Sequence, residues 1–268
     1  MQNTTVSFSF GENWYAFVKH CLTPERVAIA KEHLARFLDK EQLKGYSFLD
    51  IGCGSGLSSL AACELGAEHI VSFDNDPFSV AATQYLWESA GKPSHWTVTE
   101  GSILNADFLA HIEKMDIVYS WGVLHHTGQM WQAIENAANL MNERGQLYIS
   151  LYVTTPKSAY WTRIKQRYNY ASPLGKRLIE FWFLMSKWFR QLRDGRNPLR
   201  EMREYQQRRG MAYMTDIRDW LGGYPYEHAT IEEVLRFARK ELSLELVNLA
   251  TSEAAIEYLF VKQSPRNT

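Results

Sequence analysis

The chain has 268 residues, 46% hydrophobic and 22% charged, with a formal net charge of −1. That is globular composition at a length that buries roughly three quarters of the unfolded surface, so a disordered or fibrous chain is excluded and no stapling disulfide or metal is needed. Near-neutral charge also excludes a uniformly cationic coat for nucleic acid.

In chain order, residues 24–44 are predicted helical: Thr23 caps, Pro24 takes the first helical position, and Val27, Ala30, Leu34, Phe37 and Leu38 recur at helical spacing. Residues 46–51 form a short apolar run into a glycine turn, a buried strand. A helix over 57–65 stops at Gly66, a strand covers 69–73, a helix 79–89 follows Pro77, and 96–98 is a short strand. A buried strand over 116–120, a helix over 130–141 and a strand over 146–153 continue the alternation. Alternating strands and helices predict a parallel sheet covered on both faces, whose ligands bind outside the carboxyl ends of the strands. The stretch 156–222 breaks the pattern: it is rich in Arg, Tyr, Trp and Phe and has no clear strand. A helix over 231–240 and strands over 242–250 and 256–262 follow, the last two as an antiparallel pair, and 263–268 reads as a frayed tail.

Three cysteines, Cys21, Cys53 and Cys63, have no Cys-x-x-Cys spacing, so neither a disulfide framework nor a zinc site is expected. The opening Met-Gln-Asn-Thr-Thr lacks the pattern of a signal peptide, and 117–134 is too polar to span a bilayer. A reducing, cytoplasmic setting is expected.

The strongest motif is Phe48-Leu-Asp-Ile-Gly-Cys-Gly-Ser-Gly56, a buried strand running into Asp50, Gly52, Gly54 and Gly56. Glycines at a strand-to-helix turn permit positive φ and close approach of a ligand to bare backbone. The third glycine arrives one residue earlier than in a dinucleotide-binding turn. With Asp50 two residues before the first glycine, the spacing favours a ligand with an amino-acid end over a pyrophosphate. Asp74, 24 residues after Asp50, ends the next strand, where a carboxylate accepts from ribose hydroxyls. Asp76 beside it is the lesser candidate, and both also suit capping of the helix behind Pro77.

These segments, with Gly101-Ser-Ile-Leu104 and Asp116-Ile-Val-Tyr-Ser-Trp-Gly-Val-Leu-His-His126, resemble the ordered motifs of class I S-adenosylmethionine (SAM)-dependent methyltransferases over residues 45–155. Phe10-Gly-Glu-Asn-Trp14 and Trp220-Leu-Gly-Gly-Tyr-Pro-Tyr226 resemble a bacterial branch of quinone-type and other small-molecule methylases. The resemblance implies a Rossmann-like, doubly wound α/β fold with a mostly parallel seven-stranded sheet, an antiparallel C-terminal edge strand and a helical insert after strand 5. It implies a helical cap over 1–44, a SAM-binding core over 45–155, an insert over 156–228 and a completing helix and strands over 229–268.

By the same resemblance, Gly52, Gly54 and Gly56 would lie under the methionine and ribose of SAM. Asp50 would engage its ammonium, Asp74 with the adjoining Asn75 its ribose, and Ser102 and Ile103 would flank the adenine. Many relatives carry an acidic residue near Ser102; its absence shifts adenine recognition to backbone and packing. Trp121 and Gly122 would line the methyl-donor end. Phe10, Trp14 and Tyr15 would either form an aromatic lid over the sulfonium or plug the sheet. The product would be S-adenosyl-L-homocysteine, and no metal is implied.

His125 and His126 sit where the fourth strand ends, and histidine is the natural proton acceptor near neutral pH. His126 is the favoured base, against a reading in which one imidazole packs the loop. His228, beside Glu227 after a Gly-Gly turn, is a further acid/base candidate, against a structural loop. Tyr152, Tyr224 and Tyr226 stand within reach of the same strand end.

Between residues 157 and 218 there are 15 Lys or Arg against 5 Asp or Glu, a net of +10, which leaves −11 for the rest. Within it, residues 178–192 mix bulky apolar and aromatic residues with cations, as suits a membrane surface, a lid over a greasy substrate, a homodimer interface, or packing on the sheet with a solvated basic face. The leading expectation is a methyltransferase for a small or lipid-like molecule with an oxygen acceptor. An RNA-modifying enzyme using the basic insert, a non-catalytic SAM-binding protein and an NAD-dependent oxidoreductase are the alternatives. No RNA-binding module is visible, so nucleic acid is not the expected partner.

Overall fold

The computed structural model describes residues 10–209, 213–252 and 255–262. The readings made of residues 1–5 and 263–268 fall outside them. Seven strands form one sheet: β1 (Ser47–Ile51), β2 (His69–Asp74), β3 (Trp96–Glu100), β4 (Met115–Trp121), β5 (Met141–Tyr152), β6 (Leu244–Thr251) and β7 (Ala255–Lys262). Their order is β3-β2-β1-β4-β5-β7-β6. β1 pairs in parallel with β2 and β4, β2 with β3, and β4 with β5. β7 lies antiparallel between β5 and β6, so the expected C-terminal hairpin closes this end of the sheet with β6 outermost.

The period-2 rule decides what the sheet buries. Phe48, Ile70, Ile117 and Tyr148 face α2 (Pro24–Leu38), α3 (Leu57–Glu64) and α4 (Pro77–Ser89), joined by Phe17 and Val18 of α1 (Gly11–His20). Their neighbours Leu49, Val71, Val118 and Leu147 face the other way. They pack against the short α5 (Ala106–Leu109), α6 (Met130–Asn139) and α11 (Ile231–Lys240). Both faces are covered, as a parallel sheet requires.

Three boundaries differ from expectation. The helix from Pro24 ends at Leu38, because Asp39 adopts a left-handed conformation (φ 54°) that stops it six residues early. Met141 is strand rather than helix: it is buried opposite Met115. Gly145 lies inside β5 rather than in a turn, where a Cβ would stand 3.0 Å from the Met115 carbonyl oxygen.

The stretch after β5 folds as four helices, α7 (Ser158–Tyr170), α8 (Pro173–Arg193), α9 (Pro198–Arg209) and α10 (Tyr213–Gly222), around a core of Tyr168, Tyr205, Tyr213, Ile217 and Leu221. Asn169 and Lys165 of α7 donate to the Gly222 and Trp220 carbonyls of α10. The chain then returns to the sheet, where the Glu227 and Ala229 amides donate to the His125 and Tyr152 carbonyls.

Candidate active site

β1 and β2 end side by side, with Asp50 opposite Ser72 and Asp74 one register step beyond Phe73. The turn after β1 is held on β2: the Gly52 and Cys53 amides donate to the Phe73 carbonyl, and the Gly54 amide to Asp74 Oδ2 at 3.0 Å. Gly52, Gly54 and Gly56 all have positive φ (72°, 53° and 76°). Their neighbours separate their roles. A Cβ on Gly52 would overlap Val123, one on Gly54 would meet the Trp14 indole nitrogen at 3.3 Å, and one on Gly56 would stand 2.8 Å from Thr83 Cα. Gly56 therefore packs between α3 and α4 and does not line the cavity.

One cavity of about 540 Å³ runs along the carboxyl ends of β1, β2, β4 and β5. The size is that of a small-molecule site. Its wall brings together Asp50, Gly52, Gly54, Asp74, Asn75, Ser102, Ile103, Trp121, Gly122, His125, His126 and Trp14. Phe10 joins Trp14 in it. Tyr15 does not: its ring packs with the α2–α4 layer and lies under the Lys19 ammonium, 4.2 Å away. His228 is also absent from the wall; its Nδ1 pairs with Thr154 Oγ1 at 2.9 Å. Glu227 is occupied too, accepting from the Met130 amide at the start of α6.

The polar end is acidic, and its carboxylates Asp50 and Asp74 are buried. Burial raises Asp50 to about 7, helped by the nearby Asp74 and opposed by the Ser59 hydroxyl, which donates to Oδ2 at 2.5 Å. Burial raises Asp74 to about 6, although it accepts from the Asp76 and Gly54 amides. Two buried carboxylates that resist ionisation invite a cation and hydroxyl donors, which would restore the charge that burial suppresses. An ammonium fits Asp50, and ribose hydroxyls fit the lone pairs that Asp74 retains. Asp76 lines the wall as well, but its oxygens take the Gly11 and Phe78 amides, so it works as the cap of α4 and the seat of α1.

The opposite end is aromatic. His125 is buried, and its ring centroid lies 3.9 Å from that of Tyr152, with the two planes tilted by 41°. Burial, His126 and Lys165 hold it well below the usual histidine range. Burial lowers His126 to about 4, with Lys165 adding to the shift. Its Nδ1 lies 2.6 Å from the Pro225 carbonyl. That contact fixes the proton on Nδ1 and leaves Nε2 as an acceptor. Trp121, Tyr224, Pro225 and Thr127 complete this end.

Sequence reasoning missed Ser58, Tyr119, Ser79 and Ser150 in the wall. Ser150, whose buried Oγ has no partner among the described residues, left one trace, a lone serine in the apolar and aromatic run of β5. Tyr119 left none: it reads as core, yet its hydroxyl accepts from Ser58 at 3.0 Å.

α1 and its N-cap bring Trp14 and Phe10 into the cavity wall. A Cβ on Gly11 would lie 2.4 Å from Asp76, so only glycine lets α1 seat on the start of α4. Asn13 Nδ2 donates to Asp219 of α10 at 2.5 Å, tying the cap to the insert. The Phe10 ring lies 5.5 Å from His126.

Comparison with known proteins agrees with this geometry. The model of the family described as ribosomal protein L11 methyltransferase (PrmA) matches residues 33–169. A ubiquinone biosynthesis O-methyltransferase of Azorhizobium caulinodans is 27% identical over 145 residues, 52% of this chain and 55% of that protein. A ribosomal protein L11 methyltransferase of Legionella pneumophila is 35% identical over 101 residues, 38% of this chain and 29% of that protein. The chain thus spans about half or less of the length of these relatives. Among solved structures, PKMT2 from Rickettsia typhi with AdoHcy superposes with a TM-score of 0.57 at 14% identity, over 96% of this chain and 54% of that one. Magnesium protoporphyrin IX methyltransferase from Synechocystis with bound SAH gives 0.55 at 15%, over 88% and 83%. With half of its length matched by the family model and the same fold in these structures, the chain belongs to the ribosomal protein L11 methyltransferase (PrmA) family, within the class I SAM-dependent methyltransferases.

Proposed function

We propose that the protein transfers a methyl group from SAM to an oxygen of a small or lipid-like acceptor and releases S-adenosyl-L-homocysteine. The observation that carries this reading is one cavity with buried carboxylates, Asp50 and Asp74, at one end and a neutral imidazole among aromatic rings at the other. SAM supplies a methyl group on a sulfonium, which leaves as a neutral thioether. Asp50 binds the ammonium, Asp74 and Asn75 orient the ribose, and Ser102 and Ile103 flank the adenine. Trp14 and Phe10 exclude water, which strengthens each of these contacts. His126 Nε2 accepts the proton of the acceptor hydroxyl, with His125 packed behind it. Most of the acceleration then comes from positioning. A reducing, cytoplasmic setting is part of the same proposal, in keeping with three cysteines whose spacing suits neither a disulfide framework nor a zinc site.

The relatives' names offer a protein acceptor as a second reading. The family match ends at residue 169. Tyr224 and Pro225, which line the aromatic end, lie beyond it, and this favours a different acceptor from that of the L11 enzymes. The deciding experiment is a melting curve with SAM, S-adenosylhomocysteine or NAD, followed by methyl-transfer assays on phenols, lipid-linked alcohols and ribosomal protein L11. A ligand at about 100 times its Kd adds roughly 2.7 kcal/mol, several degrees for this chain. A shift with the two sulfur nucleosides alone and turnover on hydroxyl acceptors is the expected result. A shift with NAD alone, or turnover on the protein alone, overturns the reading.

A further inference from the structure

α8 is apolar on both faces. Its inner face packs Ile179, Phe183 and Leu184 on the insert core, beside Glu180, which accepts from Tyr168 and Arg218, and the buried Gln191. Its outer face carries Leu174, Leu178, Phe181, Trp182, Phe189 and Leu192, each more than half exposed, with Trp182 at 74% and Phe189 at 71%. At helical spacing these six form one stripe, about 27 Å long at 1.5 Å per residue. Leu199 and Met202 of α9 add exposed apolar surface. Arg177, Arg190, Arg193, Arg196 and Arg203 are exposed in the same two helices and the turn between them, where Asp194 is the exposed acid among the described residues.

We propose that this face docks the protein on an anionic lipid surface, with α8 lying in the plane of the interface. A continuous apolar stripe edged by arginines matches the acyl boundary and the headgroups of such a surface together. Charge complementarity selects this occupant. The insert is +10 and the remaining chain −11, so an anionic surface attracts this face and repels the rest, which orients the molecule. A second copy would set arginine rows against each other across a two-fold axis. An RNA would lay phosphates on a row of aromatic rings. Among the described residues no helix is long and apolar enough to cross a membrane, so the contact is peripheral.

The test is co-sedimentation of the full chain with phosphatidylcholine vesicles, with and without 30% phosphatidylglycerol. The variants are Phe181→Ser/Trp182→Ser/Phe189→Ser and Arg190→Glu/Arg196→Glu, all at exposed positions. The wild type is expected to bind anionic vesicles at least about tenfold more tightly than neutral ones, and each variant to lose about tenfold or more. The charge variant should also lose most of the salt dependence. The SAM-induced melting shift reports folding of each variant and is scored separately, so failure of the methyltransferase reading leaves the docking result intact. Absence of wild-type binding to anionic vesicles overturns the proposal. Sedimentation equilibrium then assigns the stripe to a second copy if a dimer dissolves in the triple variant, and retained RNA binding assigns the arginines to nucleic acid.

Discussion

Asp50 faces opposite demands without and with a ligand. Buried beside Asp74, it resists ionisation up to about pH 7; an ammonium in the cavity needs it ionised. Affinity for SAM is therefore expected to be full above pH 7 and to fall by up to about tenfold per pH unit below it, with proton uptake opposing binding. Asp50→Asn should weaken SAM binding about tenfold to a hundredfold and flatten this dependence, which calorimetry at pH 6 and 8 reads directly. The same linkage acts on stability. A carboxyl raised from 3.8 to about 7 contributes stability that is complete below pH 4 and lost as pH rises through 7. The ligand-free Asn variant should thus melt above the wild type at pH 8, with the gap closing toward pH 4. His126 gives a different signature. Held near 4 by burial, it is already neutral where the enzyme would work. The acid limb of kcat/KM should therefore belong to Asp50, and His126→Ala should lower kcat about a hundredfold or more while leaving SAM affinity unchanged. Unchanged turnover in that variant would remove the imidazole from the chemistry.

At the scale of elements, α1 is the piece whose removal should matter most to ligand binding. Its seat depends on Gly11 against Asp76 and on Asn13 donating to Asp219. Gly11→Val should lift the helix and weaken SAM binding about tenfold, read as a faster dissociation rate, because Trp14 leaves Gly54. α11 offers a control with no ligand connection. Thr230 and Glu233 form a complete capping box, so Thr230→Ala should cost about 1 kcal/mol of stability in denaturant melts with no change in SAM affinity. α1 had little sequence signal of its own beyond the Phe10–Trp14 resemblance. Its two anchors are partners 65 and 206 residues away, and no local pattern encodes such pairs. The α2 and α6 boundaries erred for a related reason: the apolar period continues past Leu38 and Asn139, but a left-handed Asp39 and pairing of Met141 with Met115 end the helices.

For the molecule as a whole, charge and shape divide the work between a Rossmann-like core and a basic helical insert with its own small core. The two meet at the aromatic end of the cavity, where Lys165 of α7 is fully buried over the Trp220 ring, and burial lowers it to about 7. Its charge also helps keep His125 and His126 neutral. Lys165 is thus coupled electrostatically to the proposed base without lining the cavity, a relation that composition could not indicate.

The sequence by itself determined the parallel core, the glycine turn and the acidic end of the cavity, because strand period, turn chemistry and buried carboxylates are written in contiguous residues. Only the tertiary structure decided which glycine packs helices rather than faces the cavity, which histidine has its tautomer fixed, and which face of α8 is bare. Gly56 meets Thr83, His126 meets Pro225, and α8 turns Glu180 toward Tyr168 and Arg218. Gly56 and His126 meet their partners across long stretches of chain, and which face of α8 is buried depends on how the insert's four helices pack; none of this has a local periodicity to announce it.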